Sequence, residues 1–210
     1  YATGLLPSGW AFAGTVGYRW SKEGVIEGTY YNSFSYLLSA EKRWNDHALS
    51  LVTFGSPTER AQQGASTEEA YWLANSHYYN PNWGYQGGKK RNARVVHDYE
   101  PTAILTWDWK INDDMKLSTS AGFKYSMYST SALGWNGNAY DPRPDYYKNL
   151  PSSTFNVYDT EGQNTPNYLS ENPWFLEEYN SLYNYWTSDK ANRQINWDRM
   201  YLVNQEHAAT

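Results

Sequence analysis

The side chains in this 210-residue chain that could do chemistry are four histidines, a few acidic pairs, and a heavy load of tyrosine and tryptophan. His47, His77, His97 and His207 are scattered, and no two stand at metal-ligand spacing, so they read as structural or solvent-facing. Glu68 and Glu69 open a stretch, Ser66 to Leu73, that can form one or two helical turns capped by Ser66 or Thr67. There they complement a helix N-terminus rather than form an acid–base pair. Asp141 and Asp145 flank Pro142-Arg143-Pro144, and two carboxylates always raise the possibility of a glycosidase. The prolines stiffen that segment, and Arg143 is placed to bridge its own aspartates. With no nucleophile-and-base set and no metal cluster beside it, the pair reads as loop architecture. No catalysis and no cofactor are expected.

Binding is the better prospect. Aromatic residues make up 18% of the chain, with 21 Tyr and 11 Trp against few aliphatics. An excess of this kind belongs on a surface, of which carbohydrate-binding faces and membrane-interface girdles are the common cases. The turn-rich run Asn80-Pro81-Asn82-Trp83-Gly84-Tyr85 either stacks on a sugar or flat ligand, or packs one long loop on another. By chemistry and loop position, Trp83, Tyr85, Tyr140, Arg143, Asp145, Tyr146 and Tyr147 are the residues expected to face a ligand. A net charge of −5 argues against a nucleic-acid partner. Cysteine is absent, so there is no disulfide framework and no thiol chemistry. No signal peptide is visible, and no apolar run reaches the ~18 residues of a membrane-spanning helix. Barrel strands, however, give only weak alternating segments.

Those loops must be held by strands, and the clearest strand runs from Met115 to Tyr128. Met115, Leu117, Ala121, Phe123, Tyr125 and Met127 fall on one face, opposite Lys116, Ser118, Ser120, Gly122 and Lys124. A period of two is a half-buried strand, and this one is long enough to cross a bilayer at a tilt. Trp10 to Ser21 alternates as cleanly, with Trp10, Phe12, Gly14, Val16, Tyr18 and Trp20 together. Ser33 to Trp44 places Phe34, Tyr36, Leu38, Ala40 and Trp44 on one side, with Leu37 and Lys42 as exceptions. Lys42 lies near the strand end, where its stem can snorkel. Tyr99 to Ile111 alternates with Ile104 as its exception. In Ala48 to Ser56 the register stays open, because Val52 and Phe54 compete with Leu49, Leu51 and Thr53. Tyr1 to Leu6 resembles the end of a further strand, and its opening in mid-pattern suggests a fragment.

The connections alternate between short and long. Tight turns fall at 7–9, 45–47 and 112–114, and long connections at 21–30, 57–98 and beyond 128. Antiparallel strands then carry all the tight turns at one end and all the elaborate loops at the other, as transmembrane barrels do. Aromatics near both strand ends suit two interfacial girdles around an apolar band. The fold class expected is all-β, part of a transmembrane antiparallel β-barrel with long extracellular loops. Residues 1–128 would supply six barrel strands, including the loop 57–98, and residues 129–210 an extracellular segment with two short helices. One helix would begin at Pro173, and a second would be capped by Ser188 or Asp189 and carry Ile195, Met200 and Val203. Six strands cannot close a barrel around such loops, so further strands are expected outside the chain. The alternative is a secreted, aromatic-rich β-sandwich that binds or cleaves polysaccharide.

Several loop motifs carry a resemblance. FGSPTER (Phe54 to Arg60), GASTEEAY (Gly64 to Tyr71), YYNPNWGYQ (Tyr78 to Gln86), KKRNARV (Lys89 to Val95), DPRPDYYKNLP (Asp141 to Pro151) and INWDRMY (Ile195 to Tyr201) occur in order. Together they resemble the barrel of TonB-dependent outer-membrane receptors of the Bacteroides type, which carry a carboxypeptidase-regulatory-like domain ahead of the plug. The resemblance implies a fragment of a receptor that takes up a scarce ligand across the cell outer membrane. It implies a 22-stranded barrel with a plug inside, and as partners the remainder of the barrel and plug, the TonB complex, outer-membrane lipid and a small ligand of unknown identity.

Overall fold

The structure is a computed structural model, and it describes residues 1–135, 141–156 and 173–208. The chain is mostly β, with antiparallel sheets and a smaller share of helix. It folds as two compact units. The sheet unit comprises residues 1–22, 30–60 and 95–130, and the loop unit comprises 23–29, 61–94 and 131–210. The insertion therefore groups with the terminal segment and not with the strands that flank it.

The sheet unit is one antiparallel sheet of nine strands. In chain order these are β1 (Ala2–Leu5), β2 (Trp10–Ser21), β3 (Tyr31–Trp44), β4 (His47–Gly55), β5 (Thr58–Ala61), β8 (Val95–Tyr99), β9 (Thr102–Lys110), β10 (Lys116–Lys124) and β11 (Met127–Thr130). β3 pairs with β2 along one side, and with β4 and then β5 along the other. β9 lies between β4 and β10, and β11 pairs with β8. β4 and β5, β8 and β9, and β10 and β11 thus continue one another, and the sheet is a meander of six lines. Two of the breaks fall at proline, which has no N–H to give the ladder. The carbonyls still serve: Phe34 N–H donates to Pro57 O at 3.1 Å, and Tyr125 N–H to Pro101 O at 3.1 Å. The tight turns are short for a physical reason. Asn45 takes the left-handed conformation at φ 46°, and Gly9 does so at φ +80°, where a Cβ would lie 2.4 Å from the Arg43 carbonyl.

The register sorts the two faces. Gly14↔Leu38↔Thr53↔Ala103 form one cross-strand row of one face, and Ala40↔Leu51↔Leu105↔Ala121 the adjoining row toward the tight turns, so the aliphatic residues of neighbouring strands share the middle of that face. Toward the tight turns it is bounded by a stack of Trp44, His47, Trp107 and Trp109, with ring centroids 5.5–6.0 Å apart. Toward the loops it is bounded by Tyr18, Phe34, Tyr36 and Phe123. This face is open: Val16 is 70% exposed, Leu38 51% and Leu105 44%. The opposite face is small and polar. It holds a Thr106–Ser120 hydroxyl contact of 2.9 Å and ion pairs from Lys116 to Asp108 (3.1 Å) and Lys124 to Glu100 (2.7 Å).

The open register of β4 is resolved. Leu49, Leu51 and Thr53 join the aliphatic face, while Val52 and Phe54 turn to the polar one. There Phe54 lies opposite Leu37, and Val52 opposite Ile104. Leu37, Val52, Phe54 and Ile104, four irregularities of pattern on three strands, are one cross-strand apolar island.

Among the described residues the sheet does not close into a barrel: β1 lies at one edge, and β10 with β11 at the other. β10 is exposed along its whole length, on both faces.

Almost all the buried apolar side chains belong to the loop unit; Val96 is the exception among the described residues. The loop unit contains α1 (Glu68–Ala74), the hairpin β6 (Trp83–Gln86) and β7 (Lys89–Asn92), α2 (Ser153–Asn156), α3 (Pro173–Ser188) and α4 (Trp197–Ala208). Thr67, and not Ser66, caps α1, its side chain accepting from Ala70 N–H at 3.2 Å. Pro173 opens α3 as expected. Asp189 caps only a short 3-10 turn (Lys190–Arg193), and the last helix begins separately at Trp197. Ile195 falls between them in extended chain. One core cluster joins Ala70, Leu73, Leu150 and Trp186; a second joins Ala93, Ile195, Trp197 and Met200.

Candidate functional site

The loop unit holds a cavity of about 520 Å³ between the Asp141–Asn149 segment, α3, the 3-10 turn and α4. Two prolines fix the first wall, and Asp141 completes it. Its carboxylate accepts from Arg143 N–H (3.0 Å), Nε (2.9 Å) and a terminal guanidinium nitrogen (2.5 Å). A planar guanidinium held in this bidentate way is a rigid surface rather than a mobile charge. The Arg143 guanidinium carbon lies 5.7 Å from the Trp135 ring centre and 5.5 Å from that of Tyr146. Asn149 ties the segment together: its amide donates to Arg143 O at 3.0 Å, and its own carbonyl accepts from Trp186 Nε1 at 2.9 Å. α3 contributes Leu182, Tyr185 and the fully buried Trp186. The remaining walls add the amides of Asn192, Gln194 and Asn196, with Arg199, Met200 and Val203.

Trp186→Phe removes a buried donor and leaves the Asn149 carbonyl without its partner. The expected cost is about 2 kcal/mol of loop-unit stability. Hydrogen exchange of the Leu150 and Trp186 amides measures it.

Arg143 bridges only one of its aspartates. Asp145 turns away and accepts from Ser66 Oγ at 2.8 Å, joining segments far apart in sequence. Ser152 N–H donates to Glu69 at 2.8 Å, so a second hydroxyl-bearing residue meets a carboxylate across the same two segments.

The two aspartates shift in opposite directions. Burial pushes Asp145 above the usual carboxylate range, against the Ser66 hydrogen bond. For Asp141 burial acts the same way but is outweighed by the Arg143 hydrogen bonds, which hold it below that range. By linkage, Asp141 contributes stability that is present above its unfolded value and is lost as pH falls through the lowered folded one. The contribution of Asp145 is present below its unfolded value and is lost as pH rises through the raised folded one. Asp141→Asn is therefore expected to weaken the loop unit at neutral pH, and Asp145→Asn to leave it intact while flattening its response between mild acid and neutrality. Limited proteolysis across that range measures both.

The expected ligand-facing residues are dispersed. Arg143 lines the main cavity with Asp141. Tyr146 is half-buried against Tyr147 (centroids 4.7 Å apart), and Tyr147 is exposed. Tyr140 lies outside the described residues. Tyr85 is 50% exposed on the β6–β7 hairpin, while Trp83, for which both ligand stacking and loop packing were open, is 3% exposed. Its ring is covered by Lys90 Nζ at 4.9 Å and Lys190 Nζ at 5.9 Å. Glu23 and Glu27 hold Lys90 at 2.6 and 3.1 Å, and Glu27 also pairs with Lys190. Gly28 packs so closely that a Cβ there would lie 2.1 Å from the indole. Trp83 borders a smaller cavity of about 320 Å³, but as a wedge between loops rather than an open face.

The lining residues that sequence reasoning missed are Trp135, Tyr185, Asn192, Gln194, Asn196 and Arg199. The one visible signal was the amide-rich run Asn192-Arg193-Gln194-Ile195-Asn196. Among the described residues no group of three His, Asp or Glu could hold a metal ion, and no helix is long and apolar enough to cross a membrane. No family model, no curated protein and no solved structure matches the chain.

Proposed function

We propose that this chain is part of a TonB-dependent outer-membrane receptor: six strands of a larger barrel, bearing a loop unit that binds a scarce ligand before its energised uptake. The observation that carries the reading is the exposed, largely aliphatic middle of one sheet face, with aromatic residues toward both strand ends. On β3 the band runs from Trp44 to Phe34, ten residue steps. At about 3.4 Å per residue and the ~40° tilt of barrel strands, this corresponds to roughly 26 Å of height, against the ~25 Å of a barrel's apolar band. Polar small residues and ion pairs on the opposite face suit a watery lumen. The tight turns then face the periplasm and the long connections the exterior.

The sandwich alternative would require the apolar face to be covered by a second sheet. Its exposure throughout the sheet unit favours lipid instead. The two open edges also fit, because neighbouring strands of the same barrel would satisfy backbone groups that hydrocarbon cannot.

On this reading the cavity beside Arg143 receives the ligand. Its lining suits a small molecule with one flat apolar face and several hydrogen-bonding groups. The partners are the rest of the barrel, a plug and the TonB complex, and the chain makes and breaks no covalent bond. The test is retention of the parent protein in the outer-membrane fraction after alkaline carbonate washing. Release into the wash would contradict the proposal.

A further inference from the structure

The smaller cavity of the loop unit, about 320 Å³ beside Trp83, is lined by charges that do not cancel. Glu27, Lys190 and Arg193 all border it. Glu27 is answered twice, by Lys90 at 3.1 Å and by Lys190, and Lys90 is held in turn by Glu23 at 2.6 Å. Arg193 is half-buried and has no ion-pair partner among the described residues. It reaches the last turn of α1, where one terminal N–H donates to Leu73 O at 3.3 Å, and the rest of its five-donor fork is unanswered. A guanidinium partly withdrawn from water without acceptors is costly. Two further donors border the same space. Ser76 Oγ accepts from Tyr78 N–H at 3.1 Å, which leaves its own O–H to donate, and the Gln194 side chain makes no hydrogen bond among the described residues. The closed end of the cavity is fixed. Asn80 accepts from Gly64 and Asn82 N–H, each at 3.1 Å, and donates to Glu27 O at 3.0 Å, while the Tyr79 hydroxyl donates to Arg193 O at 2.9 Å. Val25 and Tyr78, both exposed, stand at the open side.

We propose that this cavity binds a small monocarboxylate with a flat apolar body, its carboxylate on the fork of Arg193 and its body against Tyr79 and Trp83. A planar carboxylate matches a guanidinium bidentately, and Ser76 and Gln194 are placed to donate to the same group. One unanswered cation calls for one negative charge, so a phosphate dianion is disfavoured beside Glu27. The volume lies at the small end of ligand sites, which run from about 300 to 1,000 Å³. Gln194 also lines the cavity beside Arg143, so the two sites share a wall but take different groups. The inference does not depend on the membrane reading of the sheet.

The full-length protein is titrated calorimetrically with 2-naphthoate, with its uncharged analogue 2-naphthamide and with inorganic phosphate, against a blank of the same detergent solution. The expected result is binding of the acid at least about tenfold tighter than the amide, the ratio one charge-assisted hydrogen bond supplies, and weaker binding of phosphate than of the acid. Arg193→Gln brings the acid down to the affinity of the amide, and retained amide binding shows that this variant folds. Lys89→Gln, which removes an exposed cation from the β6–β7 hairpin, changes nothing. Ala74→Leu grows into the cavity from the end of α1 and abolishes binding of the acid with Arg193 in place. Equal binding of acid and amide, tighter binding of phosphate, or an unaltered affinity for the acid in Arg193→Gln or Ala74→Leu overturns the site. A protein that binds the acid but stays out of the membrane keeps this site and loses the receptor reading; one that enters the membrane without binding the acid loses the site alone.

Discussion

Leu105→Arg is expected to destabilise the folded parent protein by about 2–4 kcal/mol, the cost of a cation near the bilayer midplane on a barrel's outer surface. Leu105 stands level with Leu51 and Ala121 in the middle of the exposed band. If that face met water, the same change would be neutral or would help solubility, because Leu105 is already 44% exposed. The sign of the effect therefore decides between lipid and water. Thr15→Lys is the matched control. Thr15 pairs with Leu37 on the polar face, where a lysine meets a watery lumen and costs little. Urea titrations of both variants, folded into lipid vesicles, give the two numbers. Equal effects of the two substitutions would contradict the assignment of faces.

The second large effect is expected at Gly84. A Cβ there would lie 2.0 Å from the Ile195 carbonyl oxygen and 2.9 Å from its carbon, both backbone atoms that cannot rotate aside. The close approach exists because Ile195 N–H donates to Trp83 O at 2.9 Å, which binds the extended stretch before α4 to the β6–β7 hairpin. Gly84→Ala must push the two chains apart and break that bond, at a cost of about 3 kcal/mol. Ile195 and Met200 belong to the core cluster that the shift opens, so rapid proteolysis near Ile195 is expected in the parent protein. The sheet unit should keep its protection. Gly87→Ala on the same hairpin leaves the packing alone: its φ is +54°, but nothing lies near the missing Cβ, so only its own backbone strain is felt.

The strands were legible because a period of two survives any tertiary context in which the two faces meet different solvents. β2, β3, β9 and β10 have the alternation read from their residues, and the short turns at Gly9, Asn45 and Asn112 followed from the conformations those residues tolerate. β4 was not legible alone, since Val52 and Phe54 are as apolar as Leu49 and Leu51. Only cross-strand neighbours, Leu37 and Ile104, show why the polar face accepts them.

The loop unit was legible in the cap of α1 and the start of α3, but not in the start of α4 or in its cavity. Asp141 and Arg143 announce themselves by spacing, yet the walls supplied by Trp135, Tyr185 and Asn192 come together through contacts distant in sequence. The Ser66–Asp145 bond and the Tyr79 hydroxyl on the Arg193 carbonyl, at 2.9 Å, are examples no local pattern reports. Trp83 shows the same limit. An indole in a turn-rich loop reads equally as a ligand platform or as packing between loops, and only its two covering lysines, one from β7 and one from the 3-10 turn, distinguish the two.

The most direct measurement is heat modifiability of the full-length parent protein in detergent. Unboiled and boiled samples are run side by side on a denaturing gel after the membrane fraction that holds the protein has been established. Closed barrels resist the detergent until heated, and the account predicts a faster-migrating unboiled band from the outer-membrane fraction. A water-soluble parent protein with identical bands would contradict it, and the exposed aromatic face would then need a protein or carbohydrate partner instead of lipid.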